Sequence, residues 1–176
     1  MSLVGFGARN HPQQTGKRGA RADVDHRATP PELFDPLHQR FGFTLDVAAL
    51  PENAKCERFF TPDDDGLQQS WMGETVWCNP PYSDIRPWVE KAWAEARFCP
   101  AIVMLVPANR TEQGWWQDLV EQHRDNSGTL TVEFLRGRRR FIAPGQDGIG
   151  PNERPPFGVA LLIWRWPRPT PEADRG

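Results

Sequence analysis

The 176-residue sequence holds little from which a disulfide framework could be built. Its three cysteines, Cys56, Cys78 and Cys99, are odd in number and form no CxxC pair, which also removes the simplest zinc knuckle. Its four histidines are scattered with no i, i+4 pair, so no metal site is expected. No apolar run approaches transmembrane length, and the first residues lack the hydrophobic block of a secretory signal. The expectation is a soluble, unexported protein of the reducing cytoplasm, with no membrane partner. An excess of basic charge is missing too. With 21 Lys and Arg against 23 Asp and Glu the formal net charge is -2, which excludes whole-surface attraction to phosphate and confines any nucleic-acid site to a local basic patch.

Apolar residues are scarce from Met1 to His26, where hardly any follow Phe6, so residues 1–26 are expected to be a mobile polar tail that cannot offset its ordering entropy. Residues 27–168 are long enough for a single domain with one core, and residues 169–176 form a short polar C-terminal tail. No internal repeat is visible. The eight tryptophans are abundant for this size and offer both core volume and stacking surfaces.

The ordered part is expected to open with a helix. Thr29 would be its N-cap, proline would occupy the first turn, Glu32 would complete a capping box, and Leu33, Phe34 and Leu37 would form its apolar face. Short strands follow at Phe43–Ala49, Arg58–Thr61 and Thr75–Cys78, the second running into the tight Asp65-Gly66 reversal. Ile85 to Arg97 has helical apolar spacing, Ala101 to Val106 is the continuous apolar run of a buried parallel strand, and a helix is expected over Gln113 to His123. Thr129–Phe141 and Phe157–Trp166 read as a closing antiparallel pair. Strands alternating with helices and ending in a hairpin predict an α/β fold with a mostly parallel central sheet.

The sharpest chemical signal is Asn79-Pro80-Pro81-Tyr82, placed directly after a predicted central strand, where ligands of open α/β sheets bind. An aromatic amine is a poor nucleophile because its lone pair is delocalised into the ring. A catalyst for its alkylation should accept hydrogen bonds from the NH2 group and draw the nitrogen towards a tetrahedral state. The Asn79 side-chain oxygen and the Pro80 carbonyl can do this, two prolines hold them preorganised, and Tyr82 offers a face for an extruded base. The run Arg136, Arg138, Arg139 and Arg140 reads either as a solvated strand edge or as a phosphate contact, with alternation sending Arg138 and Arg140 to one face. Trp88 and Trp93 are expected in the core. Trp115 and Trp116, adjacent on a helix, should leave one of the two exposed.

Together these segments resemble the phage-type, Dam-like DNA N-6-adenine methyltransferase family. The matching pieces are TPPELF at Thr29 to Phe34, FGFTLDVAA at Phe41 to Ala49, NAKC at Asn53 to Cys56, DGL at Asp65 to Leu67 and SWMG at Ser70 to Gly73. They continue with VWCNPPYSDIRPWVEKA at Val76 to Ala92, FLRGRRRF at Phe134 to Phe141 and PFGVALLIW at Pro156 to Trp164, in family order over nearly everything after the tail. The resemblance implies a Rossmann-like class I methyltransferase fold, reduced in size. It also implies S-adenosylmethionine as methyl donor, S-adenosylhomocysteine as product and double-stranded DNA as partner.

The resemblance further implies a catalytic set of Asn79, Pro80, Pro81 and Tyr82. It puts cofactor contacts at Thr29 and Pro30, at Asp46 and Ala48, at Asp65, and at Asn79. Read from the residues alone, Asp46 and Asp65 could equally be turn acids. One departure stands out. Amino methyltransferases usually carry a glycine-rich loop after the first strand, whereas the stretch from Asp46 to Pro51 has no glycine, and the short spacing to Asn79 leaves little room for the usual helix. The expected activity is methylation of the exocyclic amine of an adenine flipped out of DNA, by a phage- or prophage-encoded enzyme of the restriction-modification kind, with no metal because the sulfonium already activates the methyl group. The alternatives are another planar amine (cytosine N4, RNA adenine, protein glutamine) or a non-catalytic DNA-binding relative.

Overall fold

A computed structural model describes residues 25, 27–124, 128–150 and 157–167. Apart from Asp25, the expected N-terminal tail lies outside the described residues, as does the C-terminal one. The described residues form a six-stranded sheet: β1 (Leu45–Asp46), β2 (Arg58–Phe59), β3 (Thr75–Cys78), β4 (Ala101–Pro107), β5 (Leu130–Phe134) and β6 (Val159–Trp164), in the order β2-β1-β3-β4-β6-β5. The first four run parallel and the last two pair antiparallel, as the sequence predicts. Chain order reverses between β1 and β3. Leu45 lies beside Val76 and Asp46 beside Trp77, so the carboxyl ends of these two strands open a crevice at the topological switch point.

Helices cover both faces of the sheet. α1 (Pro31–Phe41) buries Leu33, Phe34 and Leu37 against Trp77, Val103, Leu105, Leu161 and Ile163. α2 (Arg86–Glu95) packs Val89 and Ala92 on the opposite face with Val76, Cys78, Ile102, Met104 and Leu162. Successive residues of β4 therefore meet different helices, which is why Ala101–Pro107 is buried throughout and shows no alternation. Between β1 and β3 the described residues contain turns and β2 but no helix, the reduction expected from the short spacing.

Several local expectations are corrected. The first helix begins at Pro31 with Pro30 as N-cap and no side-chain cap, and the buried Thr29 hydroxyl has no hydrogen-bond partner, so the capping box does not form. The expected strands at residues 43–49 and 58–61 shrink to two residues each. In place of the helix expected over 113–123, a short α turn, α3 (Gly114–Trp116), passes into a π-helical turn at Gln117–Glu121. Trp115 and Trp116 are both buried, because they meet edge to face at 5.6 Å and each indole N–H is satisfied locally, by Gln113 and Glu121. β5 stops at Phe134, and Gly137 in the left-handed region (φ 76°) turns the chain. Arg136, Arg138, Arg139 and Arg140 thus sit in a loop, and strand alternation does not sort their side chains.

Candidate functional site

The crevice at the switch point is a cleft that encloses about 720 Å³ counting the space open to solvent. Of the expected site residues it gathers Thr29, Asp46, Ala48, Asp65, Asn79 and Pro81 into one wall-to-wall lining. Pro30 and Pro80 are not among its lining residues, and Tyr82 borders a second, more open cleft with Arg110 and Trp115.

Asp46 ends β1 and is 3 % exposed. Its carboxylate accepts the backbone N–H groups of Ala48 at 3.3 Å and Lys55 at 3.0 Å. Burial pushes its pKa up to about 6 despite those two donors and the Lys55 charge. Lys55, half-buried on the same cleft, has its pKa lowered by burial, with Asp46, Asp35 and Glu32 opposing. The cleft lining therefore carries a buried acid and a half-buried amine.

Across the cleft, Asp65 occupies the left-handed region (φ 52°) and accepts the Leu67 N–H at 3.2 Å, so it is a turn acid whose exposed carboxylate still borders the cleft. The next residue supplies what the β1 loop lacks. A Cβ on Gly66 would collide with the backbone carbonyl of Val47, so the missing glycine of that loop is replaced by one on the opposing segment, and the two backbones close on each other. Trp88 is half-buried, not core, and faces the cleft while stacking on Trp71 at 6.5 Å; Trp93 is half-buried and donates its indole N–H to Leu119.

Asn79 leaves β3 with its amide fixed from one side. Its Nδ2 donates to the Arg27 carbonyl at 3.2 Å, and its Oδ1 is buried with no partner. Arg27 Nε, Thr29 Oγ1 and Trp77 Nε1 are likewise buried and unpartnered, and all belong to cleft-lining residues. Folded proteins rarely leave buried polar atoms unpaired, so these four atoms on the residues of one cleft are available to a polar ligand. Tyr82 is enclosed. Its ring is only 8 % exposed, with its hydroxyl buried and unpartnered and Phe141 and Phe157 against it at 6.3 and 6.1 Å, so no open stacking face is presented in this conformation. Arg110 donates to the Tyr82 carbonyl and holds the turn from behind.

Sequence reasoning missed Asp25, Arg27, Lys55 and Gly66. Lys55 carried no distinguishing local pattern and Gly66 was read only as half of a tight reversal, whereas Asp25 and Arg27 meet the motif only through a contact more than fifty residues away in sequence.

The family described as DNA N-6-adenine-methyltransferase (Dam) matches residues 17–170. The DNA N-6-adenine-methyltransferase of Escherichia phage T1 is 37% identical over 136 residues, covering 69% of this chain and 55% of the relative. That of Haemophilus phage HP1 is 37% identical over 78 residues, covering 43% and 45%. A protein of Escherichia coli K12 provisionally described as a methyltransferase is 32% identical over 71 residues, covering 36% and 74%. The matches thus span about half the length of the two phage relatives. Among solved structures, one from Pyrococcus horikoshii provisionally described as an RNA methyltransferase has a TM-score of 0.50 at 14% identity, covering 85% of this chain and 90% of that one, a likeness of fold alone.

Proposed function

The chain belongs to the DNA N-6-adenine-methyltransferase (Dam) family, and we propose that it transfers a methyl group from S-adenosylmethionine to the exocyclic amine of an adenine flipped from double-stranded DNA in the cytoplasm. The observation that carries this reading is the buried, unpartnered Asn79 Oδ1 on an amide whose other end is already anchored. Anchoring Nδ2 fixes which end of the amide faces the cleft, so the waiting atom is an acceptor and suits an NH2 donor. The Pro80 carbonyl is the second acceptor, and consecutive prolines offer no N–H that could compete for it. Two acceptors on one amine localise its lone pair and aim it along the third direction, which is preorganised stabilisation of the reacting geometry.

The cleft fits the donor. Asp46 and Lys55 offer opposite charges to the ammonium and carboxylate of an amino-acid group, with Thr29 Oγ1 an unpaired hydroxyl on a residue of the same cleft, while Asp65 and the small Ala48 line the remainder. When bound, S-adenosylmethionine supplies a methyl group already activated by its sulfonium. Tyr82 takes a stacking role once Phe157 moves aside. Arg136, Arg138, Arg139 and Arg140 contact phosphate from a loop, which can follow a DNA backbone without strand geometry. Digestion of treated DNA to nucleosides tests the reading: N6-methyladenine is expected, and N4-methylcytosine, or no methylated base from DNA, would replace it.

Asp46 gives a pH signature. Its folded pKa of about 6 lies above its ordinary 3.8, so the folded state holds the proton more tightly. The associated stability, about 3 kcal/mol from a shift of roughly two pKa units, is present below pH 4 and is lost as pH rises through 6. A cationic ammonium binding beside Asp46 prefers the ionised form, so cofactor affinity should rise through pH 6 and level off above it. Calorimetric titration from pH 5 to 8 should show this rise in the parent and a flat profile in Asp46→Asn; a flat parent profile would remove the ammonium contact.

A further inference from the structure

Ahead of α1, Asp25, Arg27, Ala28 and Thr29 line the cleft, and Asp25 and Arg27 grip the Asn79 turn at two points. Both oxygens of the Asp25 carboxylate are engaged by Ser83, its N–H at 3.0 Å and its hydroxyl at 2.5 Å. Two residues later, the Arg27 carbonyl accepts the Asn79 amide. One residue further, Ala28 exchanges both backbone hydrogen bonds with Ile142 at 2.9 Å, tying the segment to the loop beyond the arginine cluster. The segment is thus a strap held at Ser83, Asn79 and Ile142.

Asn79 is the attachment that chemistry depends on. Its terminal torsion has a broad, roughly two-fold preference, so an unanchored amide would sample both its oxygen and its nitrogen towards the cleft. The Arg27 carbonyl selects one orientation, because a carbonyl can accept only from Nδ2. The acceptor that remains free, Oδ1, is then the one an adenine amine requires. The position of the Arg27 carbonyl is fixed in turn by its two flanks, Asp25 on Ser83 and Ala28 on Ile142. Ser83 lies four residues beyond Asn79 on the same turn, so the Asp25 clasp keeps strap and turn in register.

Building on the reaction proposed above, we infer that Asp25 and Ser83 are positioning residues for methyl transfer: their clasp holds the Arg27 carbonyl where it orients the Asn79 amide. Neither touches the reacting atoms in this scheme, and both act through Asn79. The role differs from simple stability because the clasp is exposed and neither residue belongs to either core cluster.

The test compares Asp25→Ala and Asp25→Asn with the parent in steady-state methylation of DNA, alone and in an Asn79→Ala background. Asp25→Ala should lower kcat by on the order of tenfold while KM for S-adenosylmethionine stays within about twofold, as displacement of a reactive group affects turnover more than binding. Asp25→Asn, which can still accept one of the two Ser83 bonds, should fall between. In the Asn79→Ala background, Asp25→Ala should add nothing, since the group it orients is gone. Amide exchange at Ser83 supplies a readout independent of turnover, and the Ser83 N–H should exchange on the order of tenfold faster in Asp25→Ala. An active parent matched in kcat by Asp25→Ala overturns the inference, as does a full additional loss on Asn79→Ala or unchanged Ser83 exchange. A parent that methylates no DNA instead overturns the proposed function beneath it.

Discussion

Asn79→Ala is expected to bind S-adenosylmethionine and DNA with near-parental affinity and to lose two to three decades of turnover, on the order of the effect seen when one preorganised hydrogen-bonding group is removed from an active site. The alanine deletes the unpartnered Oδ1 and also frees the Arg27 carbonyl. The fold should survive, because β3 behind it is held by β1 and β4 and by a fully buried Val76-Trp77-Cys78. Single-turnover methylation measures the chemical step, and the rise in melting temperature with added cofactor reports binding separately, since a ligand that binds only the native state stabilises it by mass action. Equal single-turnover rates in variant and parent would remove Asn79 from the mechanism. Loss of cofactor stabilisation would recast Asn79 as a binding residue.

Gly66→Ala is expected to damage the cofactor cleft through space alone. Gly66 is not in the left-handed region, so the substitution strains no backbone angle; its Cβ would instead enter the Val47 carbonyl, with the Trp88 ring at 3.4 Å leaving no second direction. Val47 follows directly on Asp46, and Gly66 directly on Asp65. The two walls of the cleft must therefore separate. Overpacking of this kind costs about 1–3 kcal/mol, or a melting temperature lower by roughly 3–10 °C at this chain length. Cofactor affinity should fall at least tenfold. Gly148→Ala is the matched control, since a Cβ there meets nothing within 4 Å. A Gly66→Ala protein with parental melting temperature and affinity would show that the close approach of the two backbones is not required.

The close approach at Gly66 also bears on the reduced size of the fold. Without a helix between β1 and β2, the turn after β1 is held by the Asp46 carboxylate, which takes the N–H groups of Ala48 and Lys55. A buried acid thus organises the loop, and a glycine from the facing segment permits the approach.

The sequence by itself determined the alternation of strands and helices along the chain, the mostly parallel sheet with its closing antiparallel pair and the Asn79-Pro80-Pro81-Tyr82 tetrapeptide at the end of a central strand, because each is written within a few neighbouring residues. Ala101–Pro107 is a continuous apolar run that only a strand covered on both faces can bury, and Asn79-Pro80-Pro81 fixes its own backbone through proline. Tertiary structure alone decided what those segments meet. Gly137 turned the arginine cluster off the strand that periodicity extended through it, Phe141 and Phe157 closed over Tyr82, and the local side chains of Gln113 and Glu121 let both tryptophans go inside. The strap that reads Asp25 onto Ser83 and Arg27 onto Asn79 had no local signature at all. Hydrogen bonds between residues more than fifty positions apart leave no period in the sequence, so they exist only once the sheet has brought their ends together.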